Sequence, residues 1–373
     1  MKMHAGAFAV LAIAIALAAG GQAGAAEIDL AYRADQASFR MPEAAVKAQL
    51  PRLLDEYAPP PTPVSVAAEP AAAAPEPFAY AWDRVRAGFA LPALEVPLVA
   101  HWQTWYLERP ALLQAMFARG RRYIYHVVEE IDKRKLPTEL AFLPMVESGY
   151  NPMALSSAQA SGLWQFIPST GKAHDLKQGL LMDARRDIIA STAAALTYLQ
   201  TLFERFGDWQ LALAAYNSGE TGVARAIARN KAKGQATDYK SLDLPEETRN
   251  YLPKLQALKN IVSNPSAFNF QIDPVPNKPY FAAIASERYL DVDVAARLAD
   301  VTLEEFLALN PSFNLNLISK GPRARILLPV DKIEAFIGKL DNYKEPPKRA
   351  KPADSKPSST PKARADSGER SAR

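Results

Sequence analysis

Glu147, in the run Val146-Glu147-Ser148-Gly149-Tyr150-Asn151-Pro152, is the carboxylate in this chain whose surroundings are arranged for chemistry. The stretch 138–148 is predicted to be a helix, with Pro137 near its start and Gly149, Asn151 and Pro152 after its end. On that helix Leu140, Leu143 and Glu147 follow the i, i+3, i+7 spacing of one face, so a glutamate ends an apolar stripe. Burial disfavours the anion, and so does the negative end of the helix dipole; both push the pKa up. A carboxyl group still protonated near neutrality can act as a general acid. The competing reading of the same residues is a glutamate at a frayed helix end, facing solvent.

Glycosidic chemistry ordinarily takes two carboxylates, and a second with comparable surroundings is hard to find. Asp183 and Asp187 flank Arg185-Arg186 and read as cap or ion-pair residues. Asp208 follows a glycine at a turn, and Glu220 reads as solvent-facing. Glu246 and Glu247 fall in the first turn of a predicted helix, where the dipole is expected to keep carboxylates ionised. His101, His126 and His174 are widely spaced and the chain has no cysteine, so neither a metal site nor a cofactor is expected. There is no Ser-His-Asp arrangement to defend and no glycine-rich phosphate loop after a strand.

The elements that must position these residues are predicted to be helices. Residues 101–119 and 121–136 read as two amphipathic helices; in the second, Ile124, Val127, Val128 and Ile131 share a face. Further helices are expected at 168–172, 187–206, 209–216, 223–230 and 246–262, with almost no strand pattern between 100 and 263. Residues 279–336 change character, to a strand–helix–helix–strand order closing at Ile326-Leu327-Leu328-Pro329-Val330.

The chain has 373 residues and a formal charge of +4. Lys2, the apolar run 7–19 and Ala23-Gly24-Ala25 make residues 1–25 a predicted signal peptide, the run being too short for a confident membrane span. Export to the periplasm is therefore expected, with no membrane span left after leader cleavage. No cysteine stands ready for lipid attachment, and none for disulfides. Residues 26–77 read as an N-terminal extension running into a Pro/Ala-rich linker. Residues 344–373 carry nine Lys/Arg against four Asp/Glu and read as a disordered basic tail. The positive charge thus belongs to the tail and not to a folded nucleic-acid-binding face.

Four blocks follow one another in order: Val146 to Pro152, Ser156 to Gly171 with Trp164-Gln165-Phe166-Ile167-Pro168-Ser169-Thr170-Gly171, Ala214-Ala215-Tyr216-Asn217-Ser218-Gly219, and Glu246-Glu247-Thr248-Arg249-Asn250-Tyr251. Together, over roughly 78–268, they resemble the family 1 lytic transglycosylases, most closely the membrane-bound lytic murein transglycosylase D subgroup. The resemblance implies a mainly α, goose-type lysozyme-like catalytic domain at 78–268. It implies cleavage of the bond between N-acetylmuramic acid and N-acetylglucosamine in peptidoglycan glycan strands, with a single glutamate as acid and then base. The substrate's own acetamido group would take the place of the second carboxylate, and a 1,6-anhydro ring would close without water. Carried over residue by residue, Glu147 is the acid/base. Ser156, Gln165, Tyr216, Asn217 and Tyr251 fall on positions that line the groove, with Tyr251 facing the glutamate. For Ser156 and Gln165 the alternative is loop stabilisation, and for the two tyrosines it is half-buried packing with the hydroxyl satisfied elsewhere. Trp164 is expected in the core. Gln159 stands where relatives commonly have glycine.

Residues 279–336 faintly resemble the LysM peptidoglycan-binding module, though Asp291-Val292-Asp293 replaces its usual Gly-Asp-Thr opening. A small α+β LysM-like segment is expected there, either binding glycan or capping the core. Two rival functions remain beside the transglycosylase: a goose-type lysozyme-like hydrolase and a non-catalytic peptidoglycan-binding protein. Protein partners are not indicated by the sequence.

Overall fold

A computed structural model describes residues 77–286, 288–319 and 321–343. The expected leader, nearly all of the extension and linker, and the basic tail lie outside these residues. The first unit is helical: α1 (Ala81–Ala87), α2 (Pro97–Leu107), α3 (Pro110–Gly120), α4 (Ile124–Lys133), α5 (Leu143–Ser148), α6 (Pro168–Ala173), α7 (Ile188–Phe206), α8 (Trp209–Ser218), α9 (Glu220–Ala232) and α10 (Glu246–Ser263). Its core takes the face of α4 predicted for it, since Ile124, Val127, Val128 and Ile131 are all buried. Burying each such aliphatic side chain is worth about 1.5–3 kcal/mol relative to leaving it in water.

Two of the expected helices are divided, both because of proline. Residues 101–119 do not form one helix; the chain breaks between α2 and α3, and Pro110 opens the second. Proline has no N–H to continue a helix and is at home in its first turn. Residues 138–148 likewise divide into a 3-10 turn, Thr138–Phe142, and the six-residue α5. Pro144 cannot donate to the carbonyl of Leu140, so the i→i−4 ladder cannot run through the junction. Elsewhere the caps explain the limits. The side chain of Asp187 accepts from the Ala190 N–H at 2.8 Å to start α7, and Asp208 accepts from Leu211 at 2.9 Å to start α8.

In α10 a proline sits inside the helix. Pro253 leaves the Arg249 carbonyl without its ladder donor, and the Tyr239 hydroxyl lies 3.0 Å from that carbonyl and 3.0 Å from that of Thr248. The polar gap is thus filled from outside the helix.

The second unit is β1 (Phe281–Ser286), α11 (Val292–Leu298), α12 (Leu303–Leu309), β2 (Gly321–Pro329) and α13 (Ile333–Asn342). The strands pair antiparallel with Phe281 opposite Pro329, and the register shifts between Ala285 and Ser286. Ala295, Phe306, Ile318, Ile326, Leu328 and Phe336 fill a separate small core. Asn310 fastens the end of α12 to β2, its amide donating to the Leu327 carbonyl at 2.8 Å and accepting from the Leu327 N–H at 2.7 Å. Arg122 pairs with Glu305 at 2.6 Å, and Tyr123 donates to the Ala308 carbonyl at 2.8 Å, so α12 is bonded to the helical unit. The mainly α class with a small α+β unit behind it is what the sequence predicts.

Candidate active site

The site is built on the end of α5. Gly149 takes φ +58°, a left-handed conformation that suits glycine, and turns the chain sharply after Ser148. Its N–H bonds the Met145 carbonyl at 3.1 Å, and the Tyr150 N–H bonds that of Pro144 at 2.9 Å. A side chain on Gly149 would also meet the Arg119 guanidinium. This tight ending fixes Glu147, which is only 6% exposed. The solvent-facing alternative for Glu147 therefore fails.

Burial pushes the Glu147 carboxyl up to about 7. The Tyr251 hydroxyl opposes that rise by donating to Oε1 at 2.5 Å, because a hydrogen bond to the anion favours it. Glu247 adds to the rise through like charge, and Lys254 opposes it. The resemblance placed Tyr251 against the glutamate, and the geometry agrees.

Glu247 requires a correction. Residues 247, 251 and 254 follow i, i+4, i+7 on α10 and so share a face; through it all three interact with Glu147. Glu247 is half-buried and its pKa is raised, by desolvation first, where the helix dipole was expected to keep it ordinary. Its Oε1 is buried with no partner in the protein. Glu147 is thus not a carboxylate without an acidic neighbour. Lys254 is also a site residue that the sequence reading missed. Burial lowers its pKa against the pull of both glutamates, and its ammonium lies 4.4 Å from the centre of the Trp102 ring. The Trp102 indole donates to Asn250 at 2.8 Å, which brings α2 to the same face.

Asn217, at the end of α8, faces this group. Its Oδ1 accepts from the Thr248 hydroxyl at 2.8 Å, and its side chain opposes the rise of the Glu247 pKa. Tyr216 is near enough that the charge of Glu147 raises its pKa after burial does, yet its hydroxyl donates to the Trp164 carbonyl at 2.9 Å. It ties the loop before α6 to α8 and makes no hydrogen bond to the acid.

In that loop Ser156 and Gln165 serve the backbone. Ser156 Oγ accepts from the Ala160 N–H at 3.0 Å, and the Gln165 amide donates to the carbonyls of Gly162 at 2.8 Å and Ala154 at 3.2 Å. Of the two readings weighed for them, loop stabilisation is what these bonds perform. Gln159 adopts φ +62°, a conformation suited to the glycine common in relatives. Trp164 is buried, as expected, with its indole bonded to Thr192 at 3.0 Å. Ser148, beside the acid, donates toward the Leu163 carbonyl at 2.9 Å and the Pro144 carbonyl at 3.0 Å. The loop and the acid are therefore one hydrogen-bonded body. Among the described residues no group of three or more His, Cys, Asp or Glu is placed to hold a metal ion.

A helical lysozyme-like unit with a buried, tyrosine-bonded glutamate defines a class, and comparison with known families gives it a name. Residues 128–239 match the Transglycosylase SLT domain, and residues 280–345 match the Lytic transglycosylase MltD, LysM-like domain. The chain carries both domains in that order.

Among curated proteins, the chain is similar to the membrane-bound lytic murein transglycosylase D of Escherichia coli, in strain K12 and equally in strain O6:H1. Identity is 37% over 225 residues, 60% of this chain and 50% of theirs. It is also 46% identical over 117 residues to an Alteromonas sp. (strain M-1) protein named for tributyltin chloride resistance, covering 31% of this chain and 56% of that one. The chain spans about half the length of the curated relatives it matches.

Proposed function

We propose that this chain is a peptidoglycan lytic transglycosylase in which Glu147 is the acid and then the base. The observation that carries the reading is a buried carboxyl, pushed up to about 7, with a tyrosine hydroxyl on Oε1. A group with that pKa holds a proton at neutral pH and can take it back, which the reaction needs twice over. First Glu147 protonates the bridging oxygen between N-acetylmuramic acid and N-acetylglucosamine, and the glycosidic bond breaks. The neighbouring acetamido oxygen stabilises the cation at the released carbon. The ionised Glu147 then removes the proton from the carbon-6 hydroxyl, whose oxygen closes the 1,6-anhydro ring. Water is not consumed. Tyr251 fixes the carboxyl orientation through both steps, and the raised pKa of its own hydroxyl keeps that proton in place as a donor.

The substrate class follows from the two matched domains and the name of the Escherichia coli relative. A periplasmic location fits that substrate and the signal peptide expected at residues 1–25. Among the described residues no helix is long and apolar enough to cross a membrane. Glu247 gives a specific reason to keep the hydrolytic reading as a second one, because a carboxylate near the acid could activate water. Mass spectrometry of the products released from purified sacculi decides between them. Anhydromuropeptides are expected; products heavier by one water, with reducing ends, would establish the hydrolase. No release at all, from active-site-intact protein, would leave a peptidoglycan-binding protein.

A further inference from the structure

Between α6 and α7 lie two arginines that point in opposite directions. Arg185 is 7% exposed and Arg186 2%. Arg185 is paired with Asp183 at 2.7 Å, and its guanidinium donates to the carbonyls of Gln159 at 2.5 Å and Phe166 at 3.1 Å. It thereby holds both arms of the loop that runs beside Glu147. The backbone of Gly162 packs so tightly on the Arg185 carbonyl that a Cβ there would come within 2.3 Å of it.

Arg186 reaches into the LysM-like unit. Its Nε donates to the Pro311 carbonyl at 2.7 Å, and Nη2 donates to Asn314 Oδ1. The Asp183 N–H bonds the Ser312 carbonyl at 2.8 Å, and the Asn314 N–H bonds that of Leu181 at 3.0 Å. Asn314 completes the seam by donating its amide to the Gly179 carbonyl at 2.6 Å. Planar guanidinium groups with several fixed donors hold such seams more rigidly than a lysine would.

The geometry points to residues 311–314 of the LysM-like unit as a clamp on the loop beside Glu147. They fix Arg186, the adjacent Arg185 fixes the loop 159–166, and the loop meets Ser148 next to the acid. Arg186 and Asn314 are positioning residues, and the LysM-like unit helps set the shape of the site it follows in sequence. This goes beyond a cap, because the contact continues through the loop to Ser148, next to Glu147. Only the activity arm of its test rests on the proposed function.

The test is hydrogen exchange on the full chain without substrate, comparing the parent with Asn314→Ala and Asn314→Asp. In the parent the loop amides are bonded: Ser156 to Ala160, Gly162 to Ala154 and Ser161 to Phe166. In Asn314→Ala these amides are expected to exchange about tenfold faster or more, while those of α10 keep their protection. Asn314→Asp keeps an acceptor for Arg186 and is expected to retain most of the slow exchange. Arg186→Lys provides a second, harsher variant, and the Asn314 pair decides the matter if it does not fold. Loop exchange unchanged in Asn314→Ala overturns the clamp, and so does exchange that rises equally in α10. On sacculi, Asn314→Ala is expected to lower kcat about tenfold with the pH profile in place. If the loop loosens as expected but the parent itself releases nothing from sacculi, the clamp stands and the enzymatic reading falls.

Discussion

The Tyr251 hydroxyl meets Glu147 Oε1 at 2.5 Å across 104 positions of sequence. One residue ends a six-residue helix and the other lies on the face of an eighteen-residue one. The hydroxyl orients the carboxyl and, because it favours the anion, keeps the pKa from rising further with burial. Tyr251→Phe removes the donor with little change in volume. We expect kcat to fall about ten- to a hundredfold. The alkaline limb of the pH–rate profile should move upward, since burial then acts unopposed by that bond. A limb that moves down would show the hydroxyl favouring the protonated form.

In the proposed reaction Glu147 must carry its proton at the start, and burial pushes its pKa up to about 7. Turnover of sacculi should therefore decline above neutrality, with the alkaline midpoint near that value. Stability changes in the same window. Between the ordinary 4.5 and about 7 the folded protein holds a proton on Glu147 that the unfolded chain has lost, so stability falls as pH rises. Glu147→Gln removes that penalty along with the activity. Its advantage over the parent should be absent near pH 4 and grow to on the order of 3 kcal/mol by pH 8. Thermal melts of the two proteins across that range check it; a constant offset would count against a perturbed carboxyl.

Glu247 raises the pKa of Glu147 through like charge. Glu247→Gln should lower the alkaline limb of the pH–rate profile and leave anhydro products. If Glu247 instead activated water, the same substitution would cost about a hundredfold or more in turnover, and the parent's products would carry reducing ends.

Gly162 combines φ +86° with a backbone carbonyl in the place of any side chain. Gly162→Ala should destabilise the protein by about 2–3 kcal/mol, from strained backbone and a displaced Arg185. A chemical denaturation curve measures it. Gly219, with φ +87°, ψ +137° and open space around it, should cost alanine the backbone strain alone, about 1–3 kcal/mol.

The burial of Glu147 was legible from its apolar neighbours Leu140 and Leu143, although the single helix on which they were counted divides before Leu143 and the segment is buried on nearly every side. The same counting would have found Glu247 and Lys254 beside Tyr251, but a glutamate in a first helical turn was read by its dipole, and burial outweighs that dipole here. Ser156 and Gln165 carry groups that bond sugars and loop carbonyls equally well, so residue type alone could not choose between those roles. Pro110 and Pro144 divide helices that apolar periodicity alone joins, because a missing N–H leaves no trace in the spacing of apolar residues. The reach of Arg186 to Pro311 spans 125 positions, and no local spacing encodes a contact of that range.

Pro253 breaks the backbone ladder of α10 two residues after Tyr251, and a phenol from the preceding segment stands in for the lost rung. The aim of the helix that carries Tyr251, Glu247 and Lys254 is therefore partly governed by Tyr239, a side chain that takes no part in bond cleavage. Trimming only that oxygen, with Tyr239→Phe, would leave every reacting group intact and let all three drift together. In the proposed mechanism, the aim of the reacting groups is thus set in part by a residue that touches none of them.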